Sequence, residues 1–180
     1  PTPTVSLTLP TSVCVNASPI TLTGGSPAGG IYGGTGVSGG AFNPTTAGTG
    51  TKTITYSYSS VEGCTANTST QIIVNALPAV TLANFQSVCN SSSPITLSGG
   101  SPAGGVFTGN GITNGIFNPS TVGIGNTTVT YTYSDANGCV GTATNTISVT
   151  SGVAVTLASF SPICANSSSI VLTGGSPTGG

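Results

Sequence analysis

The chain has 180 residues, only three of them charged (Lys52, Glu62 and Asp135), for a net charge of −1, and it contains no His, Met, Trp or Arg. One lysine cannot replace the counterions of a nucleic-acid backbone, two distant acids cannot cage calcium, and acid–base catalysis lacks its usual histidine. These facts point away from an enzyme, a metal protein, a cofactor carrier or a nucleic-acid binder.

Taken in chain order, residues 4–9 alternate, with Val5 and Leu7 on one face, which predicts a strand. Ile20 and Leu22 stand two apart in the next strand, and Gly-Gly pairs with Ser26-Pro27 then punctuate the chain. Ile31-Tyr32 and Ala41-Phe42 mark short middle strands. Residues 52–59 give the clearest pattern, with Ile54, Tyr56 and Tyr58 on one side and Thr53, Thr55 and Ser57 on the other. A turn at Val61-Glu62-Gly63 follows, and the last strand turns Ile72 and Val74 inward. Ile73 is expected to face outward, because its counterpart later in the chain is Ser148. No stretch has a helical apolar period, and the Thr, Val and Gly content disfavours helix. No apolar run reaches eighteen residues, and the Gly-Gly pairs and prolines break the alternation too often for a membrane barrel, so no membrane insertion is expected.

The same pattern returns after 75 residues. Cys14, Cys89 and Cys164 are each 75 apart, as are Cys64 and Cys139. The run PITLTGGSPAGG at 19–30 returns as PITLSGGSPAGG at 94–105 and as SIVLTGGSPTGG at 169–180. Self-similarity at a fixed period signals an array of like units. The expected division is 1–75, 76–150 and an incomplete third repeat at 151–180; units at 31–105 and 106–180 are the alternative phase. Because the first residue is proline and the last two fall inside a repeat, the reading expects a stretch of a longer chain. About seven short antiparallel strands per 75-residue repeat, alternating between turn signals, predict an all-β protein of tandem sandwiches.

A sandwich of this size is close to the lower limit for a self-sufficient core, so a disulfide per repeat would matter. Cys14, Cys64, Cys89 and Cys139 are the candidates, with the partner of Cys164 expected outside the segment. Pairing Cys14 with Cys64 and Cys89 with Cys139 would close each repeat on itself and is preferred, because it serves a single repeat. Pairing Cys64 with Cys89 and Cys139 with Cys164 would bridge consecutive repeats, and buried free thiols are the third option.

The string from Cys14 to Cys64 resembles the immunoglobulin-like repeats of giant secreted surface proteins of Bacteroidota. The matching pieces are LTGGSPAGG at 22–30, Y-x-G-x-G-V at 32–37, F-x-P at 42–44, A-G-x-G-T at 47–51, T-I-T-Y-x-Y at 53–58 and Gly63-Cys64. The second repeat matches at 97–105, 107–112, 117–119 and Gly138-Cys139. The resemblance implies immunoglobulin-like sandwiches, export by the type IX route and display at the cell surface as an adhesin, stalk or filament. Asp135 fits the family pattern before the last turn, whereas Ser60 does not.

Other motifs reduce to turns. Residues 34–39 match G-x-G-x-x-G, but no βαβ unit surrounds them and the second repeat puts Asn114 at the last glycine. Residues 36–40 match G-x-S-x-G without a histidine to serve it. Glu62 and Asp135 read as solvated turn residues and Lys52, whose copy is Thr127, as a rim charge. Asn16, Asn67, Asn90, Asn126 and Asn166 begin N-x-Ser/Thr and are candidate glycan acceptors, although a chain this rich in Ser and Thr produces such matches by chance. Near-zero charge favours association, and the Thr-, Ser- and Gly-rich faces predict copies packing laterally and end to end into a fibre. Host, prey or surface glycans are further candidate partners. The alternatives are a carbohydrate- or ligand-binding module and spacer repeats in a secreted multidomain enzyme.

Overall fold

The computed structural model describes residues 2–177, and its architecture follows the alternation closely. In the first repeat the strands are β1 (Ser6–Leu7), β2 (Ser12–Cys14), β3 (Ile20–Thr21), β4 (Gly25–Ser26), β5 (Ile31–Gly33), β6 (Val37–Ser38), β7 (Ala41–Phe42), β8 (Gly50–Ser59) and β9 (Thr65–Asn75). One sheet has the order β2-β9-β8-β5; opposite it lie β3-β7-β6 and the pair β1-β4. This is an immunoglobulin-like arrangement, with the first strand split between the two sheets as β1 and β2 and the second interrupted between β3 and β4. The second repeat copies it with β10 (Thr81–Leu82), β11 (Val88–Cys89), β12 (Ile95–Thr96), β13 (Gly100–Ser101), β14 (Val106–Gly109), β15 (Ile112–Thr113), β16 (Ile116–Phe117), β17 (Gly125–Ser134) and β18 (Val140–Thr150). Its sheets run β11-β18-β17-β14, β12-β16-β15 and β10-β13.

The cores fill as the alternation requires. Ile54, Tyr56, Ile72 and Val74 are buried, and Ile73 is 47% exposed. Leu22, Phe42, Ile54, Ile72 and Val74 form the first cluster, with Leu7, Leu9 and Ile20 packed against it. Leu97, Phe117, Val129, Ile147 and Val149 form the second, with Leu82, Phe85 and Ile95 around it. The first cluster draws on residues 7–74 and the second on residues 82–149. In the third stretch, β19 (Thr156–Leu157) pairs with β20 (Gly175–Ser176), and Leu157 and Leu172 are exposed where Leu7 is half-buried and Leu22 buried in the first repeat.

Three features depart from the sequence expectation. The strand expected over 4–9 shortens to two paired residues, because β1 meets only the short β4. The strands are not all antiparallel: β2 runs parallel to β9, and β11 parallel to β18. A one-turn helix, α1 (Pro44–Ala47), and a 3-10 turn at Pro119–Thr121 occupy the F-N-P motif. Their cause is local. The Asn43 side-chain oxygen accepts from the backbone N–H groups of Thr45 (3.0 Å) and Thr46 (3.4 Å), and Pro44 presets the first helical position. Thr45 Oγ1 then donates to the Val15 carbonyl at 2.8 Å, tying the turn to the chain that follows β2. Asn43→Ala is expected to lower the stability of the first sandwich by about 1 kcal/mol in urea unfolding and to leave the second unchanged.

The recurrent GGSPAGG run pairs with the first strand of its repeat through β4 or β13 and also cradles a core side chain. Its loop wraps the ring of the buried tyrosine on the central strand, Tyr56 in β8 or Tyr131 in β17. Tyr131 Oη donates to the Pro102 carbonyl at 2.6 Å and accepts from the Gly105 N–H at 2.7 Å. Tyr56 Oη donates to the Pro27 carbonyl and accepts from the Gly30 N–H at 2.8 Å. The ring also packs on the neighbouring strand's aromatic, at 4.8 Å between centroids for Tyr32–Tyr56 and 4.7 Å for Phe107–Tyr131. Tyr32 adds a bond from the Gly25 N–H at 2.7 Å, which Phe107 has no hydroxyl to copy.

Candidate functional site: the junction between repeats

Outside the two cores, the sandwiches meet at a place fixed by a covalent bond. Strand β9 ends at Asn75, and residues 76–78 lead into the second repeat. At this lower end of the first sandwich, Cys14 closes β2 and lies opposite Asn75 in the parallel ladder. The turn joining β17 to β18 meets it from the second sandwich. Asp135 shapes that turn: Oδ1 accepts from the N–H groups of Asn137 and Cys139, both at 2.9 Å. Its own N–H donates to the Cys139 carbonyl at 3.0 Å. Asp135 is thus a positioning residue for Cys139. At the matching turn, Ser60 Oγ makes a single 3.3 Å bond from the Cys64 N–H.

Cys14 and Cys139 form a disulfide, with their Cα atoms 5.6 Å apart. This corrects the pairing preferred from sequence. In the parallel ladder Cys14 stands beside the last residue of β9, whereas Cys64 immediately precedes its first. The two cysteines therefore sit at opposite ends of an eleven-residue strand, which spans roughly 30 Å. A disulfide needs Cα atoms within about 7 Å. The same geometry separates Cys89, beside Thr150, from Cys139. The bridge between consecutive repeats also differs from the one expected: it joins the first cysteine of one repeat to the second cysteine of the next. Cys64, Cys89 and Cys164 carry free thiols, half-buried at Cys64 and exposed at the other two.

The junction is tightly fitted on the side of the second repeat. A Cβ on Gly141 would stand 2.6 Å from the Pro78 carbonyl oxygen and 2.7 Å from Val80 Cγ2, so the entering chain lies directly on the start of β18. On the other side, Asn75 Nδ2 is buried without a hydrogen-bond partner. Its counterpart Thr150 instead donates from Oγ1 to the Val88 carbonyl at 3.3 Å. Asn75→Thr is therefore expected to raise the urea midpoint of the first sandwich, by a gain of about 1 kcal/mol, since it removes an unpaired donor and offers a hydroxyl to Val13.

The remaining sequence candidates do not gather into a site. Glu62 is exposed in its turn. Lys52 lies half-buried on the core face of β8 opposite Ile72, at the rim, and Thr127 is buried in its place in the second repeat. Asn16, Asn67, Asn126 and Asn166 are exposed and Asn90 is half-buried, all well apart in sequence. The glycine-rich runs at 34–39 and 36–40 form the turns around β6 and β7. Among the described residues, no three His, Cys, Asp or Glu side chains group as metal ligands, and no helix is long and apolar enough to cross a membrane. A shallow cleft of about 360 Å³ beside Pro94, Gly111, Ile116 and Asn118 has no charged side chain in its lining.

No family model matches the chain, and no curated protein matches it. Among solved structures, it is similar to a Ca2+-stabilized adhesin that helps an Antarctic bacterium reach out and bind ice, at 18% identity and a TM-score of 0.45. The match covers 87% of this chain and 51% of that one, so this chain spans about half the length of the adhesin structure.

Proposed function

We propose that the chain is a structural segment of a large extracellular repeat protein, displayed at the cell surface, whose modules form or extend a filament or adhesin. The observation that carries this reading is the Cys14–Cys139 bond, which staples two like sandwiches end to end. A disulfide-linked array belongs in an oxidising compartment, and stacking like modules sets length without a new fold at each step. The resemblance to Bacteroidota surface repeats adds export by the type IX route.

Lateral packing is part of the proposal, and the outer face of the larger sheet supports it. There Thr53 pairs with Gln71, Thr55 with Ser69 and Ser57 with Asn67; in the second repeat Thr128 pairs with Thr146, Thr130 with Thr144 and Thr132 with Thr142. The face is uncharged and rich in hydroxyl groups, so neighbouring chains meet without charge repulsion. A carbohydrate-binding module would call for an exposed aromatic platform; Phe42, Tyr56, Phe117 and Tyr131 are buried, and among the described residues Phe160 is the one exposed aromatic, which by itself makes no platform.

Electron microscopy of the native protein on cells, with antibody against this segment, tests the reading. Label along surface fibres is the expected result, and label confined to the cell interior overturns it. Sedimentation at rising concentration tests lateral packing separately. Growing assemblies are expected, and a monodisperse monomer at high concentration counts against packing.

A further inference from the structure

We propose that the Cys14–Cys139 disulfide is a load bypass, which carries tension from one sandwich into the next and leaves the chain between the two cysteines unloaded. The idea deepens the structural reading above and rests on it for its use. Tension entering at the N-terminal side passes through β1 and β2 to Cys14. There the sulfur bridge takes it across to Cys139, at the turn that opens β18. It then runs down β18 to Thr150 and into the third stretch.

Every strand on that route is already extended, at about 3.3 Å per residue, so pulling it taut adds little length. Strand β18 carries the load along its own backbone from Cys139 to Thr150, while its ten register partners in β17 and the parallel β11 lie in the unloaded loop. Strand β2 likewise carries it along its own backbone, beside the unloaded β9. The bond closes a loop of sequence separation 125, which holds β3 to β9, the connection at 76–78 and β10 to β17. Without it, tension would leave the first sandwich through β9 and the connection, loading the parallel β2–β9 pair in shear, and the chain between the two cysteines would extend as each sandwich opened.

The cysteine spacing suits this route. Cys164 follows Cys139 by 25 residues, whereas the fold advances by 75. Cys164 also occupies the position of Cys14 in its repeat. The taut route thus uses chain much more slowly than the modules do. Cys64 and Cys89 are likewise 25 apart and bracket β9, β10 and β11, the equivalent stretch one repeat earlier.

The test is single-molecule stretching of the full chain between handles at its two ends, with Cys64, Cys89 and Cys164 changed to serine so that only one bond can form. Non-reducing peptide mapping of the unaltered chain first identifies the partner of Cys14. The oxidised chain is expected to reach roughly 190 Å at full extension, and a thiol reductant to add roughly 440 Å, the length of the released loop. Cys14→Ser should show the long extension without reductant. If that variant does not fold, the reductant comparison on the parent chain decides alone. Mapping that joins Cys14 to another cysteine, or an oxidised chain that extends as far as the reduced one, overturns the bypass. Either outcome also removes the bond that supports the surface-filament reading, and the labelling of native cells then decides that reading by itself.

Discussion

Gly100→Ala is expected to destabilise the second sandwich by about 3 kcal/mol while the first keeps its midpoint in urea unfolding. The added Cβ would stand 2.5 Å from Tyr131 Cζ and 2.6 Å from Cε1 and Cε2. The ring cannot retreat. Phe107 packs on it at 4.7 Å, and its hydroxyl is held by Pro102 and Gly105. A Cβ on Gly105 would meet the same ring at 2.5 Å and the Thr132 carbonyl oxygen at 2.5 Å, so Gly105→Ala should be at least as damaging. Gly152→Ala is the control. Its Cβ would lie 3.6 Å from Ser91 Oγ, and the change should fall within about 0.5 kcal/mol of the parent.

A double-mutant cycle makes this argument quantitative. Tyr131→Ala alone should cost about 3–5 kcal/mol through the cavity and the two lost bonds. Gly100→Ala on top of it should add little, because the clash has gone with the ring. The two effects therefore should not sum, and the shortfall measures the ring–glycine contact. Additive losses would mean that the glycine matters for backbone freedom alone, and the account of the GGSPAGG run as a tyrosine cradle would fail.

That cradle also shows what was legible in the sequence and what was not. The inward set Ile54, Tyr56, Ile72 and Val74 and the outward Ile73 follow from period-two alternation and from comparing two copies, and all five lie as expected. Tyr56 was readable as core, but its hydroxyl partners were not, because Pro27 and Gly30 are 29 and 26 residues away in the chain and no spacing rule links them. The helical turn at Pro44–Ala47 is too short to show a period; its only signal was Asn43-Pro44, an N-cap followed by a first-turn proline. The disulfide was hidden for a topological reason. Its partner depends on β2 running parallel to β9, which places the first cysteine at the end of the sandwich away from the second. A three-residue edge strand carries no sequence mark of its direction.

Reducing the Cys14–Cys139 bond is expected to split one unfolding transition into two. In the oxidised chain the loop of 125 residues spans both sandwiches, so its entropic benefit is realised in full only against a state in which both have opened. Chain entropy sets that benefit at about 5 kcal/mol for a loop of this size, shared between the two modules. The bond also holds the turn at Asp135 against the end of β9, and opening either sandwich frees one side of that contact. The two cores share no residue, so once the bond is cut each should melt at its own midpoint. Calorimetry of the chain with Cys64, Cys89 and Cys164 changed to serine, with and without reductant, reads this directly. The expected result is a single peak under oxidising conditions and two peaks, at least one of them several degrees lower, after reduction. Cys14→Ser and Cys139→Ser should each reproduce the reduced profile. Cys139 is fully buried where Cys14 is not, so its serine variant should lower the second peak further. Two separate peaks that reduction leaves unmoved would show that the bond does not couple the modules.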